Sequence, residues 1–355
     1  MAPVAGGGAA PPMLGIDLGG TKTEAVLLGD DGRVGWRERV PTPAGDYEAT
    51  LAMLAALVQR GRTAAAAAVS IGIGTPGTVT PDGRMKNCNS QCLNGRLLPR
   101  DLEAAVGQPV AVANDANCLA LSEATDGAGA GHGVVFAAIL GTGVGAGIAV
   151  HGRVLTGPNG VAGEWGHNPL PWRDPAADPL WPCYCGHAGC VETLVSGPGL
   201  ARDHHERGGH GTHHAHDAAG EAAAGGSERQ RLTAEAIATA AARGDAACAA
   251  TLERHASRMA RALAGVINLL DPDVIVLGGG LSRMAHLYER VPALWQAWVV
   301  SGGVREPVRT RLARSVHGDS SGVRGAAWLG RELALRAAGA AAEGHGVTGT
   351  WARRA

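Results

Sequence analysis

Aromatic side chains are scarce in this 355-residue chain, which has eight Trp, three Tyr and a single Phe. A core for a chain of this length must therefore be built from Ala, Val, Leu and Ile. A dominant charge is also missing: 31 Lys and Arg stand against 32 Asp and Glu, so no overall field draws the chain to nucleic acid or an anionic membrane. No apolar run reaches the ~20 residues that cross a bilayer; the nearest, Ala64 to Ile73, is short and mostly alanine. Met1 to Pro12 lacks the basic start and long apolar centre of a secretory signal. Four of the seven cysteines, Cys88, Cys92, Cys118 and Cys248, are scattered, which fits free thiols in a reducing compartment rather than a disulfide framework. The expectation is a cytoplasmic protein that handles small molecules, with no nucleic-acid or membrane partner.

Glycine is what the chain has in excess, 55 residues of it. The ordered sequence opens with Met13-Leu14-Gly15-Ile16-Asp17, turns through Gly19-Gly20-Thr21-Lys22 and resumes with Thr23 to Leu28, which reads as a strand, a glycine turn and a second strand. Val134 to Leu140, the glycines of 141–147 and Ile148 to Val150 repeat the same form. Tyr47 to Arg60 has helical spacing, Ala67 to Ile73 and Val110 to Val112 read as strands, and a helix carrying Leu119 and Leu121 follows Asn114-Asp115. Thr233 to Leu270 reads as one long helical region, Val274 to Leu277 as a buried strand ending in Gly278-Gly279-Gly280, and Ser321 to Leu335 as a closing helix. Two halves that each begin with strand, glycine turn and strand predict a duplicated α/β architecture with a ligand held between them.

Two nucleotide fingerprints fail on inspection. Gly15 to Thr23 nearly matches a P-loop, but Thr21 separates Gly20 from Lys22 and a strand follows instead of a helix. Gly72 to Gly77 fits G-x-G-x-x-G literally, yet Pro76 and Pro81 prevent the helix that would hold a pyrophosphate. An Asp-x-Gly-Gly-Thr hairpin offers phosphate another route, because glycines let backbone N–H groups approach oxygen and a threonine hydroxyl adds a donor. Gly19, Gly20, Thr21 and Lys22, with Gly141, Thr142 and Gly143, are the candidate phosphate residues, and Asp17 would hold Mg²⁺ through water.

Cys183-Tyr184-Cys185-Gly186-His187-Ala188-Gly189-Cys190 places three thiols within eight residues, with His167 sixteen positions upstream. Three thiolates and one imidazole make a closed structural Zn²⁺ tetrahedron. Spacing leaves His167 and His187 both open as the fourth ligand. The stretch from His204 through His216 is also rich in histidine, but it lacks thiols and sits in Gly/Ala low complexity, so it reads as a solvated insertion.

Taken together, Gly15 to Lys22, Gly74-Thr75-Pro76-Gly77, Asn114-Asp115-Ala116-Asn117, Gly141 to Gly145, Gly163-Glu164-Trp165-Gly166-His167 and the Cys183 to Glu192 knuckle resemble the ROK sugar kinases over about residues 13–330. The resemblance implies an actin/hexokinase-like (ribonuclease H-like) fold of two α/β lobes with a zinc knuckle. Further strings, Gly163 to Trp172, Pro182 to Gly186, Asp271 to Gly280 and His317 to Trp328, are most similar to the bacterial fructokinase branch, although Cys92 stands where that branch usually has Trp. The division expected is a tail 1–12, an N-terminal lobe 13–126, a C-terminal lobe 127–318 with an insertion near 203–227, a helix 319–337 returning to the first lobe and a tail 338–355.

By the resemblance, Asp115 is the base that accepts the proton of the sugar's primary hydroxyl from ATP-dependent attack, and Asn89 and Asn114 hold neighbouring hydroxyls. Glu164, His167 and Glu192 line the sugar pocket, with one nitrogen of His167 on zinc beside Cys183, Cys185 and Cys190 and the other toward the sugar. Gly278, Gly279 and Gly280 lie against adenosine. The implied reaction is D-fructose to fructose 6-phosphate, by a homodimer. Glucose, mannose or an N-acetylhexosamine is the alternative substrate with the same catalytic set. A sugar-responsive repressor is disfavoured because Met1 to Pro12 is too short for a DNA-reading module, and a silent sugar-binding protein because Asp17 and Asp115 are both present.

Overall fold

The computed structural model describes residues 11–208, 232–300 and 306–342. The contacts divide the chain into two compact units, the first comprising 1–131, 152–162 and 319–355 and the second 132–151 and 163–318.

The first unit is built on a sheet of order β3-β2-β1-β4-β7, formed by β1 (Met13–Leu18), β2 (Lys22–Leu28), β3 (Val34–Pro41), β4 (Ser70–Thr75) and β7 (Ala111–Asn114). Strands β1 and β2 are the antiparallel hairpin expected around Gly19 and Gly20, while β4 and β7 add in parallel. Between them lie α1 (Tyr47–Ala65), a small ribbon of β5 (Thr78–Val79) and β6 (Met85–Lys86), and α2 (Leu98–Val106). Alternation along β1 sends Leu14, Ile16 and Leu18 into one core with Leu54, Leu57 and Val58 of α1. The opposite face carries Met13, Gly15 and Asp17 and is covered by the C-terminal helix α9 (Ser321–Ala342), with α3 (Asp115–Asp126) and β10 (Arg153–Val154) completing the unit. Helix α9 extends to Ala342, past the expected start of a tail at 338.

The packing of α9 explains the glycines on this face. A Cβ added at Gly15 would stand 2.1 Å from the Val323 carbonyl oxygen, and one at Gly72 only 1.8 Å from that of Ala326. Backbone rests on backbone here, with no side-chain layer between, so Gly72 is a packing glycine and no part of a dinucleotide fingerprint.

The second unit repeats the pattern with β8 (Val134–Leu140), β9 (Val144–Val150), β11 (Val274–Gly278) and β12 (Arg311–Arg314), which run in the order β9-β8-β11-β12 as four consecutive strands of a five-stranded sheet. Again a hairpin leads, β8 with β9, and parallel strands follow. The helices are α4 (Val191–Val195), α5 (Gly197–Glu206), α6 (Ala234–Ala242), α7 (Ala246–Leu270) and α8 (Ala285–Trp295). The region read as one helix from Thr233 to Leu270 is therefore two, because Asp245 accepts from the Cys248 N–H and caps a new start. After Gly280 comes a 3₁₀ turn to Arg283 before α8 begins.

Buried polarity distinguishes this unit. Arg258 of α7, 1% exposed, donates from Nε to Asp178 at 2.9 Å and from a terminal nitrogen to Asp203 at 2.9 Å, while Arg261 reaches Asp178 at 2.6 Å. Burial opposes ionisation of Asp178, but hydrogen bonds from Arg261 and Arg258 outweigh it and hold the carboxyl below its ordinary range. Buried His255 addresses the Val195 carbonyl through Nε2 at 2.9 Å and His286 through Nδ1 at 3.1 Å. Burial, then the neighbouring His286, pushes His255 down to about 3, and burial takes His286 to about 4. His204, read as part of a solvated insertion, instead lies buried on α5 with Nδ1 3.0 Å from Thr251 Oγ1, because apolar residues of α5 and α7 close over it. His205 shares that helix, whereas His210, His213, His214 and His216 fall outside the described residues.

Candidate active site

In the first unit the residues of interest gather at the C-terminal edge of the sheet. Register pairs Asp17 with Gly74, and Thr75 with Asn114, so the ends of β1, β4 and β7 lie side by side. Edges of this kind in parallel sheets are where ligands meet α/β proteins. Asn114 caps α3, its Oδ1 accepting from the Ala116 N–H at 2.8 Å, and its Nδ2 donates to the Gly77 carbonyl at 3.1 Å. Asp115 then opens the helix with an exposed side chain, one oxygen of which accepts from the same Ala116 N–H at 2.8 Å. The cap is therefore Asn114, and the expected base is the first helical residue beside it. Asn89 is exposed in the loop after β6, beside Ser90, which approaches Gly20.

Asp17 is pushed up to about 6, first by burial and then by the negative charges of Asp115 and Glu24, with Lys22 opposing. Two mutually repelling carboxylates at one sheet edge fit a hard divalent cation, which oxygen ligands and water would hold. Beneath them the Cys118 thiol is held well above its ordinary range by burial and by Asp17 and Asp115. The glycine turn is open: Gly20, Thr21 and Lys22 are exposed, and Gly19 closes the hairpin by donating to the Lys22 carbonyl at 3.1 Å.

The second unit brings its glycines to the equivalent edge. Gly278 pairs with Ile139, so Gly279 and Gly280 stand beside the turn Gly141-Thr142-Gly143 that follows β8. Thr142, Gly143, Gly279 and Gly280 are exposed, leaving their backbone accessible. One oxygen of Glu192 accepts from the Val144 N–H at 2.8 Å and so secures the end of this turn.

Glu164 and His167 come from a loop laid directly on β9. A Cβ at Gly163 would be 2.0 Å from the Ala146 carbonyl oxygen, and one at Gly166 2.0 Å from that of Val144, while Ala146 N–H donates to the Gly163 carbonyl at 3.1 Å. Only glycine at both places lets the intervening Glu164 be displayed beside the second turn; its side chain is exposed, with Trp165 tucked into the core against Phe136.

The ligand atoms of His167, Cys183, Cys185 and Cys190 all lie within 4.8 Å of one another. Cys185 Sγ is 3.6 Å from Cys190 Sγ, and Cys183 Sγ is 3.5 Å from His167 Nδ1. A tetrahedron with Zn–S bonds of ~2.3 Å has edges near ~3.8 Å, so this donor set fits zinc. His187, the competing candidate, gives its backbone carbonyl to Cys183 N–H at 2.8 Å, and its ring is not in the group. The other nitrogen of His167, expected to face sugar, meets Tyr184 Oη at 2.9 Å. Sequence reading missed Tyr184 although it lies inside the knuckle string, where its ring is exposed.

The ROK family pattern matches residues 13–332. An N-acetyl-D-glucosamine kinase of Erwinia tasmaniensis is 37% identical over 320 residues, covering 89% of this chain and 98% of that protein. An N-acetylgalactosamine kinase of Shewanella sp. (strain ANA-3) is 35% identical over 321 residues, covering 90% and 96%. Among solved structures, a ROK hexokinase from Thermus thermophilus aligns with a TM-score of 0.75 at 29% identity over 92% of this chain and 99% of that one. A ROK family glucokinase from Streptomyces griseus, solved with glucose and AMPPNP, aligns with a TM-score of 0.67 at 27% identity over 90% and 99%.

The chain belongs to the ROK family and has its two-lobe α/β sugar kinase fold. Within that family it is an ATP-dependent sugar kinase. Among the described residues, no helix is long and apolar enough to cross a membrane.

Proposed function

We propose that the chain transfers the γ-phosphoryl group of ATP to the primary hydroxyl of an N-acetylhexosamine, with N-acetylglucosamine as the leading substrate. The observation that carries this reading is the pair of relatives above, named for amino-sugar substrates and matched over almost their whole length. Fructose, the substrate implied by the shorter strings, has only those strings in support, so the proposal moves to the amino-sugar alternative. A cytoplasmic location, where ATP is supplied, belongs to the same proposal.

Asp115 is the proposed base. Its exposed carboxylate at the start of α3 accepts the sugar hydroxyl proton as the oxygen–phosphorus bond forms and ADP departs with the electrons of the broken bond. Asn114 is anchored at both ends of its amide and, with Asn89, orients neighbouring hydroxyls. Glu164, His167 and Glu192 line the sugar pocket, with one oxygen of Glu192 already held by Val144 N–H. The turns 19–22 and 141–143 offer backbone N–H groups to phosphate oxygens, and Gly278 to Gly280 leave room for adenosine.

Mg²⁺ held through Asp17 would neutralise charge on the phosphates. Zinc on His167, Cys183, Cys185 and Cys190 would fix the imidazole that addresses the sugar site, without an open position for chemistry.

A coupled ADP-release assay over N-acetylglucosamine, N-acetylgalactosamine, mannose, glucose and fructose, with and without a zinc chelator, tests this reading. The expected result is highest kcat/KM on an N-acetylhexosamine and loss of rate on chelation. Fastest turnover of fructose would return the earlier expectation, and turnover of no hexose would reject the function.

A further inference from the structure

Tyr184 is unusual in a chain so poor in aromatics. It stands between two thiols of the knuckle with 81% of its surface exposed, although a tyrosine ring normally contributes by being covered. Its placement is nevertheless fixed. The hydroxyl is 2.9 Å from His167 Nε2, and the two rings meet edge to face with centroids 5.0 Å apart. His167 Nδ1 faces Cys183 Sγ, so Nε2 is the only ring nitrogen left to address anything outside the knuckle. His167, assigned above to the sugar, therefore presents its outward nitrogen to one exposed phenol.

We propose that Tyr184 is a binding residue of the sugar site, its hydroxyl relaying the hydrogen bond of His167 to a sugar oxygen and its ring covering an apolar face of the hexose. The inference rests on the proposed sugar kinase function and adds to it a residue contributed by the knuckle itself. Hydrogen-bond arithmetic fits the arrangement. With Nδ1 turned to the thiols, Nε2–H donates to Tyr184 Oη, which leaves the phenol O–H to donate onward to a sugar oxygen. The exposed ring offers C–H contact to a pyranose on the side away from His167. Binding sugar then covers an aromatic surface that is otherwise left in water, which contributes affinity in addition to the hydrogen bond.

The test compares Tyr184→Phe and Tyr184→Ala with the unaltered enzyme, measuring KM separately for N-acetylglucosamine and ATP, together with bound zinc and the thermal midpoint. Loss of one neutral hydrogen bond predicts a rise of about five- to tenfold in sugar KM for Tyr184→Phe. ATP KM should stay within about twofold and zinc content should be unchanged. Tyr184→Ala should raise sugar KM further, again with ATP KM within about twofold. Unchanged sugar KM in Tyr184→Phe with zinc retained would overturn the proposal, and so would equal rises in both KM values. Turnover of no hexose by the unaltered chain would remove the functional reading itself, an outcome visible before any variant is made.

Discussion

The two units share a strand order but fix their functional residues by different means. In the first, α9 lies on the sheet backbone to backbone at Gly15 and Gly72, directly behind Asp17. In the second, a loop is laid on β9 through Gly163 and Gly166, and the helices behind it are tied by buried ions and histidines. Steric closeness needs no partner charges and is insensitive to pH. Charge networks join distant segments, here Asp178 to Arg258, but they depend on every member being present and correctly protonated. The first arrangement suits a pair of carboxylates that need a rigid edge, and the second suits a loop whose side chains must stay exposed.

Four substitutions distinguish these two arrangements. Asp115→Asn should lower turnover by about 10²–10⁴-fold, the usual worth of a general base, while thermal melting shows the first unit still folded. Loss of fold instead would mean that the α3 start matters for more than chemistry. Arg258→Ala leaves Asp178 and Asp203 short of a buried partner and should cost roughly 3–5 kcal/mol in denaturant unfolding. Gly72→Ala forces a methyl toward the Ala326 carbonyl oxygen and should cost about 3 kcal/mol, near the top of the overpacking range. By contrast Gly141→Ala, with nothing within 4 Å, should change stability by less than about 0.5 kcal/mol.

Acidification should separate the units. His255 and His286 have folded pKa values near 3 and 4, below the unfolded value of about 6.5, so between these limits the unfolded chain binds more protons. Stability is therefore intact above pH 6.5 and falls as pH drops toward 4. About 2 kcal/mol for each histidine, on the order of 4 kcal/mol for the pair, should be lost between pH 7 and pH 5. Urea unfolding at the two pH values checks this, and His286→Gln should reduce the loss. An equal loss in that variant would place the acid sensitivity elsewhere.

Much of this was legible in sequence because turn glycines and alternating apolar residues are local signals. Both hairpins, the strand ending at Asn114 and the grouping of thiols could be found that way. Other features had no local signature. Strand β3 places Glu38 between the half-buried Trp36 and Val40 and exposed arginines at the alternate positions, so its apolar alternation was broken. The ion network joins residues 55–83 positions apart, a pairing that no spacing rule reveals. Tyr184 lay within a recognised string but was overshadowed by the cysteines around it. The choice of His167 over His187 needed the loop conformation, since both lie within reach by count alone.

The central claim joins a base at the start of α3 to an amino-sugar substrate, and one measurement addresses it most directly. Initial rates of ADP release at matched concentrations of N-acetylglucosamine and fructose should be compared for the unaltered chain and Asp115→Asn. The account predicts a kcat/KM clearly higher for N-acetylglucosamine, and near loss of both rates in the variant. A preference for fructose, or a variant that keeps its rate, would contradict it.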